Sequence, residues 1–291
     1  MSINFSPFSS EFLKRLLEQV EVTQSQYEQA QSAYKSLGEW LKRPKSELLR
    51  RDPNVYVQGS FRLGTAIRPS SPDGDLDIDV VCEINGSKSE DTQRLVKKYV
   101  GYEVKSYADA HRIKLDEPGN RCWTLLYADG SKFHMDVLPA IPDAESRRLL
   151  LEQRNLDAQW TDTSLAITDQ RDPNFDKISP EWPHSNPKGF ANWFAEQGGD
   201  VFRERRQAIF EADQGGVFES VNDVPMFRVK TPLQGVVQLL KRHRDMMFEH
   251  RSGPVAFSCR PMCSFKPLFV RKRRGFSSRV LSVGGADYKS R

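Results

Sequence analysis

Gly59-Ser60-Phe61-Arg62-Leu63-Gly64-Thr65-Ala66-Ile67-Arg68-Pro69, then Asp77-Ile78-Asp79-Val80-Val81, then Phe133-His134-Met135-Asp136-Val137-Leu138-Pro139: these three runs decide how the chain is read. In the second, Leu76, Ile78 and Val80 alternate with Asp77 and Asp79. That is the period of a strand, and it puts both carboxylates on one face. The third run repeats the pattern, with Phe133, Met135 and Val137 on one side and His134 and Asp136 on the other. The first is preceded by Asn54-Val55-Tyr56-Val57-Gln58, a further strand pattern. It runs into Gly59-Ser60, where a glycine permits a sharp turn that exposes backbone amides.

Carboxylates crowded in this way repel one another and are expensive to bury unless a divalent cation holds them together. Hard oxygen ligands suit Mg²⁺, which takes the rest of its shell from water and substrate phosphates. Two such ions can activate an attacking hydroxyl and steady a departing pyrophosphate. Acids at alternate strand positions also often do no more than face water. A calcium loop is excluded: Asp73, Asp75 and Asp77 imitate its start, but Ile78 stands where the glycine is required and Ile84 where the bidentate glutamate is required. The glycine-serine turn just before the acidic strand favours the phosphate reading, because it offers amides and a hydroxyl to a polyphosphate.

Taken together, the three runs resemble nucleotidyltransferases of the DNA polymerase β type, and among these the bacterial cGAS/DncV-like enzymes (CD-NTases). The resemblance covers roughly residues 10–249. It implies an α+β fold, a mixed sheet backed by helices, with a partly missing helical second lobe. It implies Asp77, Asp79 and Asp136 as ligands of two magnesium ions, for which manganese can substitute, and Asp136 as a group that helps deprotonate a ribose hydroxyl. Ser60 would contact the terminal phosphates of a nucleoside triphosphate, with Gly59, Arg62 and Thr65 in the same substrate-binding set. Asp75 is the weaker alternative to Asp77. The segment from Thr231 to Asp245 looks like the family's helix beside the nucleotide pocket, which makes Lys241 a candidate phosphate contact. A basic residue on a helix rim is also commonly just solvated, and Arg68, next to Pro69, has the same two readings.

The implied function is synthesis of a cyclic di- or trinucleotide from ATP and other nucleoside triphosphates in anti-phage (CBASS) signalling. An effector encoded nearby and regulatory protein partners come with that reading. Nucleic acid is not required by the core. The alternatives are transfer of a nucleotide to an RNA, protein or small-molecule acceptor, and an inactive nucleotide-binding protein.

Around these runs, the 291-residue chain has the composition of a soluble folded protein, 38% hydrophobic and 28% charged. No apolar run approaches the roughly 20 residues that cross a bilayer, and the N-terminus lacks a signal pattern, so a cytoplasmic location without membrane contact is expected. Cys82, Cys122, Cys259 and Cys263 make neither a disulfide framework nor a paired zinc site and are expected as thiols.

Phe12 to Leu41 has helical spacing, as one long helix broken at most once, and forms the expected first unit, 1–50. The catalytic core is expected over 51–160. It includes a helix at 92–100 and a hairpin of 121–127 with 132–138 through Asp129-Gly130. A loop and helical lobe is expected over 161–249. There Gln159 to Pro187 reads as a long irregular connection, Lys188 to Phe210 as helix, and Pro232 to Phe248 as a helix burying Leu233, Val236, Val237 and Leu240. Trp40, Trp123 and Trp160 are assigned to packing, and His134 to a partly exposed strand position.

The formal net charge of +4 is uneven. From His250 onward ten Lys and Arg face one acid, Asp287, a balance of +9 that leaves −5 on the rest. Residues 250–291 therefore read as an atypical basic tail, frame-shifted or disordered. A nucleic-acid-binding arm is its functional rival, with Phe265, Phe269 and Phe276 among the cations.

Overall fold

In the computed structural model the described residues are 7–248, apart from 72–73, 129–132, 214–215, 217, 219 and 222–223. In chain order the elements are α1 (Pro7–Val20), α2 (Gln24–Leu41), β1 (Asn54–Val57), α3 (Gly59–Leu63), β2 (Leu76–Glu83), α4 (Gln93–His111), β3 (Lys114–Leu115), β4 (Trp123–Tyr127) and β5 (Phe133–Pro142). There follow α5 (Ala144–Gln153), β6 (Leu165–Ile167), β7 (His184–Ser185), α6 (Pro187–Gln197), α7 (Gly199–Glu211), α8 (Met226–Val229) and α9 (Pro232–Phe248). Single 3₁₀ turns occupy Leu49–Arg51 and Thr161–Thr163.

The sheet runs β1-β2-β5-β4-β3, with β6 and then β7 added beside the far end of β5. β2 and β5 are parallel, paired from Leu76↔Phe133 to Glu83↔Ala140, while β1 and β4 flank them antiparallel. A parallel pair needs a crossover, and here α4, β3 and β4 supply it. Ile78, Val80, Met135 and Val137 are fully buried on the face covered by α2 and α4, against Ala30, Leu37, Leu41, Val96, Val100 and Val104. Each valine, leucine, isoleucine or methionine among them contributes about 1.5–3 kcal/mol through burial. The other face carries Val81, Leu138 and Ala140, packed with Leu165 and Ile167.

The strands fall where period two put them. The helices differ in extent. The N-terminal stretch is two helices, because Thr23 leaves the helical conformation and caps α2, exchanging hydrogen bonds with Gln26. Phe12, Leu13 and Leu16 share the apolar spacing yet remain exposed. α4 continues to His111. Gly101 does not end it, because its missing Cβ makes room for the Trp123 ring, whose indole N–H donates to Lys97 O at 3.1 Å.

Two expectations are corrected. The stretch 159–187 is not irregular throughout: Leu165, Ala166 and Ile167, all buried, form β6 antiparallel to β5, and β7 pairs with β6. This ties the segment after residue 160 into the core sheet. In α9, Val236 and Leu240 are 54% and 63% exposed, whereas Gln234 and Gln238 are buried. On the inward side Gln234 and Gln238 meet backbone carbonyls, while Leu233 and Val237 pack half-buried against Leu63, Ala191 and Phe194 as expected. The Asp129-Gly130 turn, Cys259, Cys263 and the basic tail lie outside the described residues. Neither Cys82 nor Cys122 is in a disulfide.

Candidate active site

The pairing Asp79↔Asp136 across the parallel strands and the two-residue step from Asp79 to Asp77 bring three carboxylates together. One oxygen from each of Asp77, Asp79 and Asp136 lies within 4.8 Å of the others. Asp79 is 7% exposed, and the other two are half-buried. Three like charges at this spacing in a partly dry site call for a counter-charge. Oδ1 of Asp77 is buried without a hydrogen bond. Nε2 of His134 stands 3.3 Å from it, near enough for charge attraction but off hydrogen-bond geometry. An orphaned carboxylate oxygen within an all-oxygen set fits a hard divalent cation.

Burial raises the Asp136 pKa and the Asp77 charge adds to it, against a hydrogen bond from Thr124 that lowers it. The neighbouring Asp77 carboxylate raises the pKa of His134. His134 is the cross-strand partner of Asp77, a half-buried strand residue as expected.

The glycine-serine turn is held against the middle acid by a hydrogen bond from Gln58 N to Asp79 O of 2.8 Å. Gly59 has φ +62°, a left-handed backbone open to glycine at no steric cost. Ser60 follows, half-buried, in the first turn of α3. Thr65 is only 2% exposed; its amide donates to Ser60 O and its carbonyl accepts from Lys241. Its place is therefore within the wall of the turn. Lys241 Nζ lies 3.0 Å from that carbonyl. Arg68 donates to the carbonyls of Glu18 and Glu21, which tie it to α1.

Arg62 points to the other flank of α3, where burial lowers the pKa of its guanidinium and its Nε has no hydrogen-bond partner. It lines a cleft of about 440 Å³ with Gln58, Gly59, Leu63, Trp160, Ser185 and Phe190. Trp160 thus borders this cleft, while Trp123 packs on α4 and Trp40 packs on Tyr107.

Three residues that the sequence reading passed over support the site. Gln234 donates to Leu63 O and Met226 O, and Gln238 donates to Ala66 O. With Lys241 on Thr65 O and Arg242 on Arg68 O, α9 holds the loop after α3 by its main chain. The signal for Gln234 was present as Thr231-Pro232-Leu233-Gln234, a capping-box spacing, and the reciprocal bonds form. Thr124, which donates to Asp136 Oδ1 at 2.6 Å, had no signal, because strand register is not written locally.

The family model of the Second Messenger Oligonucleotide or Dinucleotide Synthetase (SMODS) domain matches residues 8–174. A c-di-GMP synthase of Roseivirga ehrenbergii is 25% identical over 237 residues, 81% of this chain and 54% of that protein. The cyclic dinucleotide synthase CdnG of Bradyrhizobium diazoefficiens is 23% identical over 281 residues, 90% of this chain and 61% of that one. The chain thus spans a little over half the length of these curated relatives. The structure of CdnG in complex with GTP superposes with a TM-score of 0.55 at 21% identity, covering 83% of this chain and 65% of that one. The shared architecture is the polymerase β-like nucleotidyltransferase fold. With the family model matched from α1 through the acidic strands and β6, the chain belongs to the second messenger oligonucleotide or dinucleotide synthetase family of bacterial CD-NTases.

Proposed function

We propose that this chain carries the nucleotidyltransferase site of a cyclic dinucleotide synthase. The reading rests above all on three carboxylates gathered within 4.8 Å beside a glycine-serine turn that is bonded to the middle acid. Asp77, Asp79 and Asp136 hold two Mg²⁺ ions, or Mn²⁺ in their place. When bound, these supply positive charge to the attacking hydroxyl and the departing pyrophosphate. The amides of the Gly59 turn and the Ser60 hydroxyl hold the terminal phosphates, and Asp136 helps deprotonate the attacking ribose hydroxyl, directly or through the metal. That oxygen attacks the α-phosphorus in line, a P–O bond forms, and the bond to pyrophosphate breaks. The cleft lined by Gln58, Leu63, Trp160 and Phe190 adjoins Gly59 and has room for a nucleobase with its ribose. Arg62, which lines that cleft, and Lys241, beside the turn, are the further phosphate contacts of this reading.

The names of both relatives favour a dinucleotide product over a trinucleotide, and guanine nucleotides join ATP as substrates to be tried. The setting we assign is anti-phage signalling through an effector encoded nearby. The test is incubation of the chain with the four ribonucleoside triphosphates and Mg²⁺, followed by mass spectrometry of the products. A cyclic dinucleotide is expected, and it should be lost in the Asp77→Asn/Asp79→Asn variant. Product that persists in that variant, or nucleotide found only on an added RNA or protein, would overturn the reading.

A further inference from the structure

Thr124 sits on β4 directly across from Asp136 on β5, so the two side chains share a face. Its hydroxyl donates to Asp136 Oδ1 at 2.6 Å, the short separation typical of a hydrogen bond to an ionised acceptor. The strand that presents it is fixed on both sides. Trp123 is fastened to α4 by its ring against Gly101 and its N–H on Lys97 O, and Leu125 is fully buried in the core. The Thr124 carbonyl accepts from Asp116 N at 2.9 Å.

The chemical type of the partner matters as much as its position. A carboxylate swings about its last torsion with little resistance, and a donor on one oxygen stops that swing. A lysine or arginine there would also cancel the charge needed for a cation. A neutral hydroxyl orients the carboxylate and leaves its charge in place.

We propose that Thr124 is a positioning residue for the third carboxylate: it commits one oxygen of Asp136 and reserves the other for the divalent cation shared with Asp77 and Asp79. The proposal rests on the divalent-cation reading given above. Partners of this kind, one step removed from the ion, typically change metal affinity about 10- to 100-fold when lost.

The test is direct titration of the full chain with Mn²⁺, without nucleotide, in which the signal of free Mn²⁺ in electron paramagnetic resonance gives the dissociation constant. Wild type is compared with Thr124→Val, Thr124→Ser and Asp79→Asn, and thermal unfolding is recorded without metal. Valine keeps the shape and strand preference but removes the donor, while serine keeps the donor. The expected result is Mn²⁺ binding weakened about tenfold or more in Thr124→Val. Thr124→Ser should remain near wild type, and the metal-free unfolding midpoints should be similar. Under turnover, the Mn²⁺ concentration for half-maximal rate should rise in Thr124→Val while the KM for nucleotide at saturating metal stays put. Equal Mn²⁺ affinity in wild type and Thr124→Val, or an altered unfolding midpoint as the only change, would overturn the proposal. If Asp79→Asn bound Mn²⁺ as wild type does, the cation would lie elsewhere, and the site reading itself would fall with the proposal.

Discussion

Replacing Gln234 with methionine should release α9 from the loop that follows the glycine-serine helix. Gln234 is 1% exposed, and its side-chain amide serves three main-chain groups: Leu63 O at 2.9 Å, Met226 O at 2.8 Å and Thr231 N at 2.6 Å. Methionine has nearly the same length and volume, so no cavity opens, and the apolar transfer slightly favours the variant. What remains is two carbonyls and one amide left buried without partners. Each such group costs about 1–3 kcal/mol, and partial relaxation toward water brings the sum to about 3–5 kcal/mol. That is a large share of the roughly 5–15 kcal/mol that holds a domain together. It corresponds to a fall of about 6–20 °C in the unfolding midpoint. Urea unfolding followed by tryptophan fluorescence gives the free energy, with Gln238→Met, which strands only Ala66 O, as the milder companion. A loss below about 1 kcal/mol in Gln234→Met would refute the claim that these bonds hold the loop to the helix.

Burial pulls the Lys97 ammonium down to about 8 from its ordinary 10.5, although it still donates to Gly119 O. Between those values the unfolded chain holds a proton that the folded chain has released, so the Lys97 contribution to stability should rise with pH, by about 2 kcal/mol at pH 9.5. Because the raised Cys82 thiol acts in the opposite direction over this range, the contribution is read as the difference between wild type and Lys97→Met in unfolding curves from pH 7.5 to 9.5; parallel profiles would contradict the assignment. Gly101→Ala would put a methyl group into the Trp123 ring, so about 1–3 kcal/mol should be lost, with a change in near-ultraviolet circular dichroism. Unaltered spectra would count against the tight packing of α4 on β4. Asp77→Asn/Asp79→Asn relieves crowding of like charge, so without divalent metal its unfolding midpoint should equal or exceed that of wild type. Added Mg²⁺ should then stabilise wild type alone, and equal stabilisation of both would place the ion outside the triad.

The strands and acids were legible because their signal is local. Asp77, Asp79 and Asp136 sit opposite buried apolar neighbours at period two, and any register that buried Ile78 and Met135 would turn the acids to the same side of the sheet. The apolar part of the α9 interior, Leu233 and Val237, was legible, but its polar part was not, because Gln234 and Gln238 face main-chain carbonyls and a hydropathy pattern ranks such positions as outward. Val236 and Leu240 were placed inside for the same reason, and both are exposed. β6 was hidden because its three apolar residues are too few to stand out among prolines and polar residues. Thr124 became visible only with the register, which long-range pairing decides.

The parallel pairing of β2 with β5 also bears on the order of folding. Asp79 and Asp136 become neighbours only after α4, β3 and β4 have been laid down between them, and pairings so distant in sequence close slowly. β1 with β2, or β4 with β5, can form as antiparallel units with no more than two of the three acids on the same unit. The full negative cluster therefore arises at the closing of the crossover, where its repulsion opposes the final step. A divalent ion held by the three acids at that moment would speed this closure and leave the earlier antiparallel units untouched, so the chain's refolding rate would carry a record of how the carboxylates come together.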